Sequence, residues 1–145
     1  MITDKTTRSL SRILQKSKTE EDMQYIKSLI PDEDDDLHIY LNKLIAKKHL
    51  TITEVSKRSC VSRNYVYNIF NGQRKRPSRD KLLSIAIGMN MNYSETNRML
   101  ELSGLLPLYP KNGRDICIAI AINQMVGNVM DTNLILEKHG FKTLK

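Results

Sequence analysis

The sequence predicts an all-α protein: a five-helix domain over residues 31–104, an N-terminal helical arm over 1–30 before it, and an extra C-terminal helical hairpin over 105–145 after it. Three observations carry this. Residues 50–77 read as two short helices joined by a tight turn and followed by a basic loop. Elsewhere apolar residues recur three and four positions apart, between capping residues and stop residues. Finally, the pattern of the helix pair over 79–104 returns 35 or 36 positions further on. A length of 145 residues suits one domain, or a small domain with an extension.

Residues 1–18 are rich in Ser, Thr, Lys and Arg, with Leu10, Ile13 and Leu14 at helical spacing. They read as a partly disordered arm, or as a short helix that folds on a partner. Glu20 to Ile30 reads as a helix, with Met23, Ile26, Leu29 and Ile30 as its stripe and Pro31 as its stop. The acid run Asp32 to Asp36 is read as support for the positive end of the next helix. It lacks the Gly turn and distal Glu of a calcium loop, so no metal is expected. That next helix spans about Leu37 to Lys48 and turns Leu37, Tyr40, Leu41, Leu44 and Ile45 inward.

Thr51 and Glu54 then form a T-x-x-E capping box. Val55 and Ser59 share a face of the helix it starts, and Cys60-Val61-Ser62 breaks the run. Ser62 caps a second helix, Arg63 to Phe70, with Val66, Ile69 and Phe70 inward. Asn71-Gly72 ends it, and Gln73-Arg74-Lys75-Arg76 leads to Pro77.

At these residues the chain resembles the helix-turn-helix of the Cro and phage-repressor (XRE) family. The match runs from Leu50 to Gly72 and continues through Lys75-Arg76-Pro77; the resemblance covers about Leu37 to Ser94. It departs from the family pattern at Cys60, where Gly is usual in the turn. It departs again at Ile52, where many members carry a Gln that bonds a phosphate. The resemblance implies a repressor-like fold, binding to double-stranded DNA, and dimers on two half-sites.

Ser78 caps a helix of about Arg79 to Met89, with Leu82, Leu83, Ile85 and Ala86 on its buried side. A further helix starts at Asn92 or Ser94 and stops at Gly104. Residues 105–113 form a loop with two prolines. Helices over about Arg114 to Val126 and Asn128 to His139 follow. Arg79-Asp80 answers Arg114-Asp115 at a spacing of 35; Asn92, Glu95, Thr96, Asn97, Leu100, Glu101 and Gly104 answer Asn128, Asp131, Thr132, Asn133, Leu136, Glu137 and Gly140 at 36. The last hairpin therefore looks like a copy of the preceding one with one residue inserted.

The formal charge is +7, and residues 50–81 alone carry +6 of it. Charge focused on one segment is the footprint of a polyanion partner. The major groove admits one helix and presents a readable donor and acceptor code. With Val66, Ile69 and Phe70 inward, Arg63, Asn64, Tyr67 and Asn68 point outward and are the candidate base readers. The resemblance places Arg63, Asn64 and Asn68 at base-reading positions, Asn71, Lys75 and Arg76 at backbone contacts, and Arg79 near the minor groove. The full candidate backbone set is Thr51, Ser62, Asn71, Gln73, Arg74, Lys75, Arg76 and Arg79.

No nucleophile–base pair, metal-ligand spacing or phosphate-binding Gly loop appears, so neither catalysis nor a cofactor is expected. Cys60 and Cys117 are read as packed, reduced thiols of a cytoplasmic protein. No apolar run reaches the length of a membrane span. A homodimer is expected through the C-terminal hairpin, around Ile116, Ile118, Ile120, Ile122, Leu134 and Leu136. The function expected is a sequence-specific DNA-binding transcriptional regulator, read as a repressor. The competing reading is an antitoxin or adaptor that grips a protein partner through residues 105–145 and regulates its own operon.

Overall fold

Side chains set where the helices of this chain begin. The computed structural model describes residues 20–21 and 36–145. Glu20 and Glu21 are helical; the rest of the arm over 1–30, its stripe and the acids before Asp36 lie outside the described residues. Residues 36–145 form one unit of seven helices and no strand. They are α1 (Leu37–Lys47), α2 (Ile52–Ser59), α3 (Arg63–Phe70), α4 (Arg79–Gly88), α5 (Tyr93–Leu102), α6 (Gly113–Asn123) and α7 (Val129–Lys138).

Six of the seven start on a side-chain cap: Thr51, Ser62, Ser78, Asn92, Asn112 and Asn128 each accept a backbone N–H three residues on. Thr51 and Asn92 complete capping boxes with Glu54 and Glu95. Each such cap is worth about 1 kcal/mol, which matters for helices of only 8 to 11 residues. Asp36 occupies the cap position of α1 without a side-chain bond.

The core is continuous from α1 to α7. Leu37, Leu41, Leu44 and Ile45 are buried on α1, and half-buried Tyr40 donates its hydroxyl to the Glu95 carbonyl at 3.3 Å. Lys48 ties the end of α1 to α5 through Glu95 at 3.1 Å. Helix α2 lies along α4, so closely that a Cβ on Gly88 would meet the Ser59 backbone nitrogen at 3.0 Å. Helix α4 was expected to bury one side. It is instead buried at every position from Leu82 to Gly88. Helix α2 covers one face, and the second hairpin covers another through α7.

Helices α6 and α7 are shorter than expected. Met125 takes a left-handed conformation (φ 56°), as Asn90 does after α4 (φ 53°), and this closes α6 before Val126. The correspondence of the two hairpins extends to their bonds. Arg79 forks onto Asp115 (3.0 and 2.8 Å), while Arg114 forks onto Asp80 (3.0 and 2.9 Å). Arg79 also donates to the Leu106 and Pro107 carbonyls, and Arg114 to those of Lys142 and Thr143. Asn97 accepts from Leu108 N, and Asn133 from Leu144 N. Asp115 accepts from Tyr109 N, and Asp80 from Lys145 N. Reciprocity of this kind, in which i meets j and the equivalent of j meets the equivalent of i, is that of an approximate two-fold axis.

Candidate nucleic-acid interface

Helix α3 and the loop after it present one polar, cationic edge. Val66, Ile69 and Phe70 are buried and fix the rotation of α3. That rotation leaves Arg63 and Asn64 exposed, Tyr67 57 % exposed and Asn68 half-buried. The far end is sealed by Asn42 of α1, which donates to the Phe70 carbonyl at 2.7 Å. A positive φ of 81° at Gly72 then turns the chain against the His38 ring, where a side chain would be both strained and crowded.

The loop is held in shape by its own polar groups. Asn71 accepts from Gln73 N at 2.9 Å, and Arg74 N donates to the Asn68 carbonyl at 2.9 Å. Asn68, Gln73, Arg74, Lys75 and Arg76 line a shallow depression of about 430 Å³. Gln73 to Arg76 are all exposed. Tyr65, which sequence alone left between core and rim, sits at the rim. The Arg74 guanidinium stands 4.3 Å from its ring centre and Lys81 Nζ 5.7 Å. Sequence reasoning did not single out Lys81. The signal was there in its place, one turn into the helix that follows the basic loop.

The remaining expected backbone contacts divide. Thr51 and Ser62 are exposed, with their hydroxyl oxygens accepting the capping N–H groups. Arg79 needs correction. All three of its donor nitrogens are engaged, two of them on Asp115, and its side chain keeps only 26 % exposure. It joins the two hairpins and has no donor nitrogen left unengaged for a phosphate.

Two further expectations are corrected. Cys60 is exposed, in a left-handed turn at φ 57°, whereas Cys117 is buried and its thiol is pushed up by that burial. Of the apolar residues assigned to a dimer face, Ile118, Ile122 and Leu136 are inside the core; Ile116, Ile120 and Leu134 are exposed. The inward residues face the partner hairpin and the rest of the core, which the stripe pattern alone could not tell from an outer surface.

Among the described residues no helix is long and apolar enough to cross a membrane, and no cluster of three or more metal-ligating side chains occurs. Comparison with known proteins bears on the same segment. The family model described as Helix-turn-helix matches residues 41–95, from within α1 to the first turn of α5. No curated protein and no solved structure matches the chain significantly. Residues 41–95 are a helix-turn-helix domain of the Cro and phage-repressor (XRE) type, the DNA-binding kind of domain that transcription regulators carry.

Proposed function

We propose that this chain is a sequence-specific double-stranded DNA-binding regulator, a repressor, that reads the major groove with α3. The observation that carries the reading is the uncovered edge of α3. Arg63, Asn64 and Tyr67 are exposed beside a loop with three consecutive cations, and no other described element of the chain caps them. Arg can present a fork to guanine and Asn a donor–acceptor pair to adenine. Gln73, Arg74, Lys75 and Arg76, with Ser62 and Asn71, supply donors for phosphates on either side, and Thr51, whose hydroxyl and N–H both donate to Glu54 Oε1, flanks them. Lys81 joins them in place of Arg79. The chemistry offered is recognition. Two heads on two half-sites, about one helical turn apart, complete the reading.

The test separates base readers from phosphate contacts. Selection of bound DNA from a random pool identifies the preferred site. On that site Arg63→Ala is expected to cost about 1–3 kcal/mol and to relax preference at one position. Lys75→Ala is expected to weaken all sequences alike and to lower the salt slope by about 1. Equal losses on every sequence for both variants would show that the roles are wrongly assigned.

A further inference from the structure

The correspondence of the two hairpins runs on past their last helices. After α5 the chain crosses residues 105–109, and after α7 residues 141–145, 36 positions on. Each stretch is bound by its backbone as a strap. Leu108 N and Leu144 N donate to Asn97 and Asn133, and Tyr109 N and Lys145 N donate to Asp115 and Asp80. Leu108 and Leu144 are both buried. Backbones and anchors thus agree, but the outward side chains do not. Around the first strap they are Leu106, Tyr109 and, on α6, Ile116, which are 78 %, 56 % and 41 % exposed. Around the second strap the equivalent positions are Lys142, Lys145 and, on α4, Lys81. Lys142 and Lys145 are exposed and Lys81 is half-buried.

We propose that Lys142 and Lys145 bind backbone phosphates of the DNA duplex that α3 reads, next to those met by Lys81 and the basic loop. This rests on the DNA-binding reading above and adds the second strap to the DNA-contacting surface. Three observations carry it. The first is place. Arg74 and Lys81 stand 4.3 and 5.7 Å from the Tyr65 ring centre, and Asp80, the neighbour of Lys81, accepts from Lys145 N at 3.3 Å. Cations therefore follow one another from the loop, along the start of α4, to the strap. Each DNA strand carries one charge for about every 3.4 Å of axis, so a line of this kind meets successive phosphates. The second is charge. Arg114 forks onto Asp80 and Arg79 onto Asp115, so the acids at the two straps are already neutralised. Among the described residues neither the Lys142 nor the Lys145 side chain is in an ion pair. An open cleft of about 520 Å³, lined by Arg114, Phe141 and both lysines, leaves room for a phosphate. The third is contrast. A demand for solubility alone would act on both straps. The cations stand only on the strap beside the basic loop, and the other strap is apolar at all three places.

The experiment titrates the full chain into duplex DNA by fluorescence anisotropy over a series of salt concentrations. It is run with the selected site and with a duplex of random sequence. Lys142→Gln with Lys145→Gln is expected to lower the slope of log affinity against log salt by about 1.8 on both duplexes, because phosphate contacts carry no sequence information. Each single variant should lower it by about 0.9. Lys142→Arg with Lys145→Arg should keep the wild-type slope. So should Lys111→Gln, on an exposed cation beside the first strap. Urea unfolding of the glutamine pair should match wild type, since neither side chain anchors the strap. An unchanged slope for the glutamine pair and both single variants would overturn the proposal. A Lys111→Gln that lowers the slope as much as Lys142→Gln would do the same, as would a loss confined to the selected site.

The same titrations separate this from the reading above. A wild type that binds both duplexes equally, with its slope lowered by the glutamine pair, sinks the base reader and leaves the strap. Arg63→Ala that relaxes preference, beside a glutamine pair with the wild-type slope, does the reverse. A wild type that binds neither duplex sinks both.

Discussion

At Cys60 the backbone takes φ 57° and ψ 26°, a left-handed conformation that costs a side chain with a Cβ about 1 kcal/mol or more. The turn between α2 and α3 needs it, because Ser56 must donate to the Val61 carbonyl, at 2.6 Å, for α3 to leave at the right angle. The side chain itself is exposed and makes no cap. Cys60→Gly should therefore raise unfolding free energy by about 1 kcal/mol without altering DNA selection, measured by urea titration. A fall in stability would mean that the thiol contributes packing its exposure does not suggest. Tyr65 is the other residue whose role only coordinates reveal. Its ring steadies Arg74 and Lys81, contacts worth about 0.5–1 kcal/mol each at a rim. Tyr65→Leu is predicted to weaken DNA binding about threefold on every sequence, by anisotropy titration. A change in sequence preference would instead make Tyr65 a reader.

At the scale of helices and hairpins, much was legible. Caps, stops and apolar stripes located every helix from Leu37 on, because each signal is local. The 35- and 36-residue echo was legible for the same reason. What the echo could not disclose is that Arg79 reaches Asp115 rather than a phosphate, since that depends on how one hairpin meets the other. Burial of Asp80 and of Asp115 works against their charged forms, but the hydrogen bonds and charges of Arg114 and Arg79 outweigh it. Both carboxyls are held below the ordinary 3.8. A carboxyl depressed in the folded state binds its proton less tightly there than in the unfolded chain. Its contribution is thus present above pH 3.8 and is lost as pH falls through the lower folded values. Arg114→Ala should cost about 2 kcal/mol at neutral pH, allowing for solvent screening of side chains that remain partly exposed. Below about pH 4 the gap from wild type should narrow, leaving only the lost bonds to the Lys142 and Thr143 carbonyls. A gap that stays constant with pH would show that the ion pair contributes nothing.

At the scale of the whole unit the helix-turn-helix domain and the last hairpin share one core. Ile87 and Met91, buried to 2 % and 1 % exposure, border Ala121, Ile122 and Met125 across the hairpin junction. Helix α7 also touches α2, the first helix of the turn motif. Removing α6 and α7 would strip apolar surface from α4, at about 1.5–3 kcal/mol for each large side chain exposed, and would leave Arg79 without its carboxylate. Those losses rival the 5–15 kcal/mol that holds a typical domain together. The unit over 36–145 is therefore predicted to unfold in one transition, and a chain ended at Gly104 is predicted to lack a cooperative transition at all. Far-ultraviolet circular dichroism and tyrosine emission, the useful fluorescence in a chain with six Tyr and no Trp, should give coincident urea curves for the full unit. Two separated transitions, or a shortened chain that unfolds at the same urea concentration, would mean that the head stands without the hairpin. The shared core would then be an accident of packing rather than the reason α4 is buried on nearly every side.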